Sequence, residues 1–365
     1  MTRKFIMIAM LGMALAFVSC GGSSTPTTCE HPKGEFTWVY EGNPLIRHMY
    51  TADPSARVWA DGRLYVYPSQ DKKPAFGCDM MDEYHVFSTD DMVNWVDHGM
   101  IVAARDVPWG VPIMMGDREA TFMWAPDCIY KDGKYYFYFP HPYGPTWNDT
   151  WRIGVAVSDK PASDFKVLPE PVKGTEVSWT KQDGTQGSAP ALIDPNVFLD
   201  DDGTVYFYIG GGVDGVGRYY GGKLKDNMIE VDGELQAMEG LEDFHEAIWV
   251  FKRNGIYYLT YSDNYELETP EGRLPRNRMR YAMSSSPLGP WEYKGIYMDV
   301  TNSHTNHGSV VEFKGQWYAF YHNSDLSLYN GEFNDWFRSV AFDKLFFNED
   351  GTIQMVEQTR GLIKE

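Results

Sequence analysis

Short aromatic runs interrupted by glycine turns recur five times along this chain of 365 residues. The turns centre on Gly62, Gly133, Gly203, Gly255 and Gly315, and a strand-like run such as KYYFY or TVYFY follows each glycine. Asp-Gly and Asn-Gly between apolar runs are strong hairpin signals, because both central residues of a type I′ turn need positive φ. The pattern therefore predicts five similar β-units.

Each unit continues past its hairpin. A third strand pattern, such as YHVFSTD or IGVAVSD, recurs in four units, and a fourth pattern, NWVDHG or PWEYKG, recurs in two. Helical periodicity is almost missing, and the 15% aromatic content favours strands. A long repeat of three or four strands is typical of propeller blades. We therefore predict an all-β, five-bladed β-propeller over residues 36–365, with a β-sandwich as the alternative.

A constant offset supports the propeller. Nine residues before the turn glycines lie Asp53, Trp124, Asp194, Glu246 and Asn306. A similar composition alone would not fix such an offset. The innermost strands of a propeller begin at one end of its axis, so these positions should converge on the floor of a central, funnel-shaped active site. Three of the five residues are carboxylic acids, which is typical of a catalytic centre.

Two of these acids precede proline, in Asp53-Pro54 and Asp194-Pro195. Proline biases the preceding residue towards extended backbone, which predicts a carboxylate held rigidly at the start of a strand. One Asp-Pro pair is a weak signal, since turns contain many. Two pairs at the same phase of the repeat, with Glu246 at that phase, are more specific. The alternative is that the three acids cap loops or bind a cation at the propeller centre.

The overall charge narrows the function. The net charge is −19, and the chain has no run rich in Lys and Arg. Binding to nucleic acid or to an anionic membrane surface is not expected, because both need clustered cations. Cys29, Cys78 and Cys128 are odd in number and lack CxxC spacing, so they predict neither a disulfide framework nor a zinc site.

The N-terminus predicts export. Residues 1–19 combine a basic start with an apolar stretch too short to span a bilayer, and they resemble a lipoprotein signal peptide. Cys20 would become the lipidated N-terminus, and residues 20–35 a flexible tether. We expect a bacterial cell-envelope lipoprotein whose only membrane contact is this lipid anchor. An ordinary secretory signal is the alternative.

Six segments identify a resemblance to glycoside hydrolase family 43. They are NPLIRHMYTADPS, WAPD, IDPNVFLDDDGTVYFYIGG, FHEAIWVFKRNGIYYLTYS, NHGSVVEFKGQWYAFYH and RSVAFDKLFFNEDGTI, in the family's order. The resemblance implies a five-bladed propeller that hydrolyses glycosides with inversion at the anomeric carbon. It further implies that Asp53 is the general base, Glu246 the general acid, and Asp194 the residue that tunes the acid's pKa and orients it.

The resemblance also implies substrate-binding roles. Trp124 would stack on the sugar, with plain packing as the alternative, and Arg338 would reach substrate hydroxyls. His307 would contact the substrate and, through water, a structural calcium ion near the axis; no cofactor is expected to be required. Asp127 is expected to be structural. His245 departs from the family pattern beside the acid, which leaves the sugar open.

These inferences together predict a monomeric hydrolase of oligo- or polysaccharides. The expected linkages are arabinofuranosyl or xylosyl bonds in hemicellulose, arabinan or arabinogalactan. An exo-acting α-L-arabinofuranosidase is favoured; the alternatives are β-xylosidase, β-galactofuranosidase, and endo-acting xylanase or arabinanase. From another class, a non-catalytic sugar-binding propeller remains open, as does a retaining fructan-cleaving propeller, whose first motif differs from TADPS.

Overall fold

A computed structural model describes residues 36–74, 77–144, 150–213, 215–263, 265–269 and 272–361. Five antiparallel sheets form the blades of a β-propeller, as the repeat predicts. The predicted signal peptide, Cys20 and the tether lie outside the described residues. The helices found within the described ranges are all too short to cross a membrane.

A short helix and a hairpin separate blades one and two along the chain. Blade one contains β1 (Phe36–Val39), β2 (Tyr50–Val58), β3 (Leu64–Asp71), β4 (Glu83–Thr89) and β5 (Asn94–Ala103). A 3-10 helix (Ala104–Asp106) and a hairpin of β6 (Ile113–Met115) and β7 (Arg118–Ala120) follow. Blade two contains β8 (Asp127–Lys131), β9 (Lys134–Pro142), β10 (Trp151–Ser158) and β11 (Lys166–Val167). The strand β1 pairs with β5 and gives blade one a fifth, outermost strand.

The other three blades carry two further insertions. After a hairpin of β12 (Val177–Thr180) and β13 (Gln186–Ala189), blade three contains β14 (Asn196–Leu199), β15 (Val205–Val213), β16 (Val216–Lys223) and β17 (Gln236–Ala237). Blade four contains β18 (Phe244–Arg253), β19 (Ile256–Asp263), a hairpin of β20 (Tyr265–Thr269) and β21 (Gly272–Arg276), β22 (Met279–Ser284) and β23 (Glu292–Met298). Blade five contains β24 (Ser309–Phe313), β25 (Gln316–Asn323), helix α1 (Asp325–Tyr329) and β26 (Ser339–Leu345).

The turn glycines adopt the predicted left-handed conformation, with φ between 77° and 84°. In three hairpins the preceding residue also has positive φ, as a type I′ turn requires: Asp132, Asn254 and Lys314. The prediction of type I′ turns is wrong for Gly62 and Gly203. There only the glycine is left-handed, and the preceding Asp accepts a hydrogen bond from the backbone two residues on. These two hairpins therefore have longer loops.

The hydrophobic core is divided among the interfaces between blades. Five clusters of buried side chains each join one blade to the next, and the cluster containing Leu45, Trp95 and Phe342 joins blade five to blade one. Aromatic side chains from neighbouring sheets fill these interfaces, for example Tyr138 against Phe207. Because each sheet buries both faces in this way, the ring holds its inner strands β2, β8, β14, β18 and β24 around one axis.

Asn43 closes the ring. This residue is fully buried between the segment that precedes β2 and the last blade. Its Nδ2 donates to the Phe342 carbonyl at 2.9 Å and to Thr359 Oγ1 at 2.9 Å. Its Oδ1 accepts a hydrogen bond from Phe342 N at 3.1 Å, and nearby Leu45 N donates to the Val340 carbonyl at 2.7 Å. One amide thus joins both ends of the propeller.

We expect Asn43→Ala to lower the free energy of unfolding by about 2–4 kcal/mol, because it leaves buried backbone groups of blade five without partners. Urea denaturation followed by tryptophan fluorescence measures this loss. The control is Asn348→Ala, which removes an exposed side-chain hydrogen bond to Thr352 and should cost less than about 1 kcal/mol. Equal losses in both variants would contradict a role for Asn43 in closing the ring.

Candidate active site

A funnel of about 340 Å³ opens where the inner strands begin. Every site residue predicted from the sequence lines it: Asp53, Trp124, Asp194, Glu246, His307 and Arg338. Residues from all five blades therefore converge, although they lie hundreds of positions apart in the chain. Asn306 is the exception among the five offset positions, because its side chain is fully buried and Thr305 and His307 line the funnel in its place.

The backbone at the two Asp-Pro pairs is not extended, contrary to the sequence-based expectation. Asp53 has φ of 51° and Asp194 has φ of 53°, both left-handed. Aspartate tolerates this region better than most residues. A bulge between Ala52 and Ser55 interrupts the pairing of β2 with β3, and His322 Nδ1 accepts the Asp53 N–H at 3.0 Å. At Asp53, the bulge and this tertiary hydrogen bond thus fix a left-handed backbone conformation that the local sequence does not favour.

Asp53 is a buried carboxylate with strong donors. Arg338 Nη1 donates to its Oδ1 at 3.2 Å, and Ser69 Oγ donates to its Oδ2 at 2.5 Å. Burial would raise the pKa of Asp53, but the guanidinium, His322, His307 and the serine hydroxyl together outweigh burial and lower it. Asp53 is therefore ionised at neutral pH, as a base that activates water must be.

Arg338 links the last blade to the first. Its side chain is only 4% exposed, and a second buried carboxylate, Asp71, accepts hydrogen bonds from Nε at 3.0 Å and from Nη2 at 2.8 Å. Arg338 Nη1 also donates to Thr305 Oγ1 at 3.0 Å. The guanidinium is planar and held by both carboxylates, so it presents a fixed positive charge to the funnel.

Asp194 has the opposite electrostatic environment. Burial and the charges of Glu246 and Asp53 raise the pKa of Asp194 well above its usual range, although the Ala247 N–H donates to its Oδ2 at 3.0 Å. The raised pKa thus belongs to the aspartate that the family resemblance identifies as the residue that tunes and orients the acid. Because the charge of Glu246 contributes to the raised pKa of Asp194, the protonation of Asp194 depends on the charge of Glu246.

Two histidines flank the acids. His307 Nδ1 lies 3.7 Å from Asp194 Oδ2 and 4.0 Å from Asp53 Oδ1. Burial lowers the pKa of His307, and burial together with Arg338 lowers that of His322 to about 3, so both rings are neutral at pH 7. Within the described ranges, no three side chains of His, Cys, Asp or Glu are arranged to hold a metal ion directly.

Aromatic rings form the walls of the funnel. Trp124 Nε1 donates to the Cys78 carbonyl at 2.9 Å, and the ring packs against Trp151 with centroids 4.6 Å apart. Trp336 stacks on His304 at 3.9 Å and also lines the funnel. Sequence reasoning missed Trp336, His304 and Thr305 because they lie on loops outside the repeat. It also missed His322, whose position in the aromatic strand β25 gives no signal of function.

Asp127 is structural, as expected. Buried at the start of β8, it accepts hydrogen bonds from Ser55 Oγ at 2.6 Å and Arg57 Nε at 3.1 Å in blade one. It also accepts hydrogen bonds from Asn196 Nδ2 at 2.9 Å and Val197 N at 2.8 Å in blade three. One carboxylate therefore fixes three inner strands relative to one another beneath the funnel.

The funnel of this propeller contains one buried carboxylate with a lowered pKa, Asp53, and one with a raised pKa, Asp194. Carboxylates whose pKa values differ in this way are typical of the active site of a glycoside hydrolase. The model of the family described as "Glycosyl hydrolases family 43" matches residues 41–353. The chain belongs to this family, and it is an O-glycosyl hydrolase of the xylosidase and arabinofuranosidase type.

Curated relatives and solved structures agree with this assignment. The chain is 33% identical to a xylosidase/arabinosidase 43A of Humicola insolens, over 85% of this chain and 98% of the relative. It is also 33% identical to a xylosidase/arabinosidase of Bacteroides ovatus, over 86% and 97%. Among solved structures, it resembles a GH43 beta-xylosidase/alpha-arabinofuranosidase from a compost microbial metagenome, determined with xylotriose in a calcium-free form. The TM-score is 0.71 at 33% identity, covering 90% of this chain and all of the other.

We expect Arg338→Gln to destabilise the fold by about 3–5 kcal/mol at pH 7, because it leaves Asp53 and Asp71 buried without their cation. In the wild type the lowered pKa of Asp53 stabilises the fold above the carboxyl's unfolded pKa and ceases to do so as the pH falls through the folded value. The cost of the substitution should therefore shrink towards pH 4, where protonation removes the unpaired charge.

Urea denaturation at pH 7 and pH 4 measures this difference. Arg63→Gln is the matched control, since it removes an exposed ion pair with Asp90 and should cost less than about 1 kcal/mol at either pH. A cost for Arg338→Gln that does not depend on pH would contradict the electrostatic account.

Proposed function

We propose that the protein removes single pentosyl units, β-xylosyl or α-L-arabinofuranosyl, from the ends or side chains of plant hemicellulose fragments by an inverting single displacement. The observation that carries this proposal is the closed end of the funnel, where Asp53, Asp194 and Arg338 are each less than a tenth exposed. A closed end holds a terminal sugar and excludes a continuing chain. The names of the relatives, xylosidase/arabinosidase, support both glycones equally.

Asp53 acts as general base in this proposal. Its lowered pKa keeps it ionised, and its fixed position lets it take a proton from a water molecule on one face of the sugar. Arg338 holds the carboxylate and presents a donor to substrate hydroxyls. In inverting enzymes the base and the acid are about 6.5–9.5 Å apart, which leaves room for that water.

Glu246 acts as general acid in this proposal, assisted by Asp194. Glu246 is more exposed than the other two acids, with 17% of its side chain accessible, so it can reach an incoming glycosidic oxygen. The raised pKa of Asp194 keeps a proton in the pair at a pH where Asp53 is ionised. Trp124 and Trp336 are the proposed stacking surfaces on the funnel walls.

The first test assays purified protein on 4-nitrophenyl α-L-arabinofuranoside and β-D-xyloside, with NMR of the first-formed sugar. Turnover of at least one substrate with inverted configuration is expected. Retained configuration would refute the single displacement. Sugar binding without turnover on these substrates or on oligosaccharides would instead support a non-catalytic sugar-binding propeller.

We expect Glu246→Gln to lower kcat/KM by about 10³-fold or more on oligosaccharides but far less on 4-nitrophenyl glycosides, because nitrophenolate leaves without protonation. Asp53→Asn is the matched comparison and should lower both rates by similar factors, since every substrate needs an activated water. Steady-state kinetics of both variants measure the two ratios. A Glu246→Gln enzyme with a near-normal rate on oligosaccharides would refute its role as the acid.

A structural calcium ion near His307 remains part of the proposal. The described acids and histidines offer no direct site, so calcium would have to be held largely by water and backbone oxygens. Asn306 Oδ1 is a buried oxygen without a partner among the described residues and lies beside His307. Arg338 already places a positive charge by Asp53, so bond cleavage should not depend on the ion. Complete loss of activity after chelation, restored by calcium, would refute this.

A further inference from the structure

A smaller cavity of about 170 Å³ adjoins the funnel. Four residues border both spaces: Trp124, Ile193, His245 and Glu246. Of the three site carboxylates only Glu246 borders this side cavity, whereas Asp53 and Asp194 border only the funnel. The side cavity therefore lies on the acid's side of the site, away from the base.

Provided that the proposed function holds, the inverting mechanism indicates what binds in the side cavity. The acid must lie beside the glycosidic oxygen, and the base activates water on the opposite face of the sugar. With the terminal sugar in the funnel, the leaving group must extend from Glu246 away from Asp53. The side cavity borders Glu246 and does not border Asp53, so it lies where the leaving group must extend.

The walls of the side cavity suit one neutral sugar ring. Trp124 and Trp151 provide aromatic surface on one side. Gly212, near the end of β15, leaves space because it has no side chain, whereas Ile193 packs against Gly211. A Cβ placed on Gly212 would meet only the His245 ring, at 3.6 Å and 3.7 Å. His245 thus faces β15 across this space.

His245 is suited to bind a sugar hydroxyl. Its side chain is 30% exposed, and its Nε2 lies 3.7 Å from Glu246 Oε2, too far for a hydrogen bond. The structure gives the ring no hydrogen bond within the described part of the chain. An imidazole ring offers both a donor and an acceptor, which matches the hydroxyls of a neutral sugar.

We propose that the side cavity binds the first sugar of the leaving group, a neutral pyranose such as a xylosyl unit, and that His245 is a positioning residue that hydrogen-bonds one of its hydroxyls. His245 thereby sets the preference for sugar leaving groups over other leaving groups. The contact acts beside the acid and holds the glycosidic oxygen near Glu246.

The test compares kcat/KM for an oligosaccharide with kcat/KM for the 4-nitrophenyl glycoside of the same glycone. His245→Ala should lower this ratio about five- to tenfold, the worth of one hydrogen bond to a neutral group. His245→Gln should restore part of the ratio, because it keeps a donor and an acceptor. Gly212→Val should lower the ratio through KM by narrowing the cavity, since the backbone there needs no glycine conformation.

His98→Ala is the control, because His98 lies in β5 of blade one, where it bonds Ser88, and the ratio should stay unchanged. Equal losses on both substrates in His245→Ala, with an unchanged melting temperature, would overturn the inference while leaving the proposed function intact. An unchanged ratio in both His245→Ala and Gly212→Val would overturn it too. A wild-type protein that turned over no glycoside would refute the proposed function, and this inference with it.

Discussion

The buried arrangement of Arg338 between Asp53 and Asp71 is the interaction on which the site depends. Arg338 comes from the last blade, and the two carboxylates come from β2 and β3 of the first. The contact therefore forms only when the ring closes, and closure rests on Asn43 and on the hydrophobic cluster between the same two blades. Because an unpaired buried charge is costly, the energetics that favour the closed ring also place a fixed cation beside the proposed base.

This arrangement shifts the pKa values of two aspartates in opposite directions, although the two residues occupy equivalent positions in the repeat. Asp53 has a guanidinium and a hydroxyl as partners, and its pKa is lowered. Asp194 has a backbone N–H and two neighbouring carboxylates, and its pKa is raised. Similar local sequences thus acquire opposite protonation behaviour, because the neighbouring blades contribute different charges. Acid and base chemistry at one pH requires such a difference.

The repeat made much of the site predictable. The nine-residue offset placed four of its five positions in the funnel, and the family resemblance added His307 and Arg338. The offset failed at Asn306 because blade five presents the residues on either side of it. It could not indicate Trp336 or His304, which lie on loops outside the repeat and reach the funnel through tertiary packing. The repeat could not indicate the side cavity either, since residues of blades two, three and four line it together.

By itself, the sequence determined the number of blades, the hairpin positions and the residues that begin the inner strands. These features depend on local turn chemistry and on strand patterning, which neighbouring residues encode. Only the tertiary structure decided the left-handed backbone of Asp53 and Asp194, the direction of each pKa shift and the shape of the two cavities. Those properties depend on burial and on charges from distant blades. Proline after aspartate favours an extended backbone locally. At Asp53 a β-bulge, together with a hydrogen bond from the Asp53 N–H to a histidine in another blade, overcomes that preference.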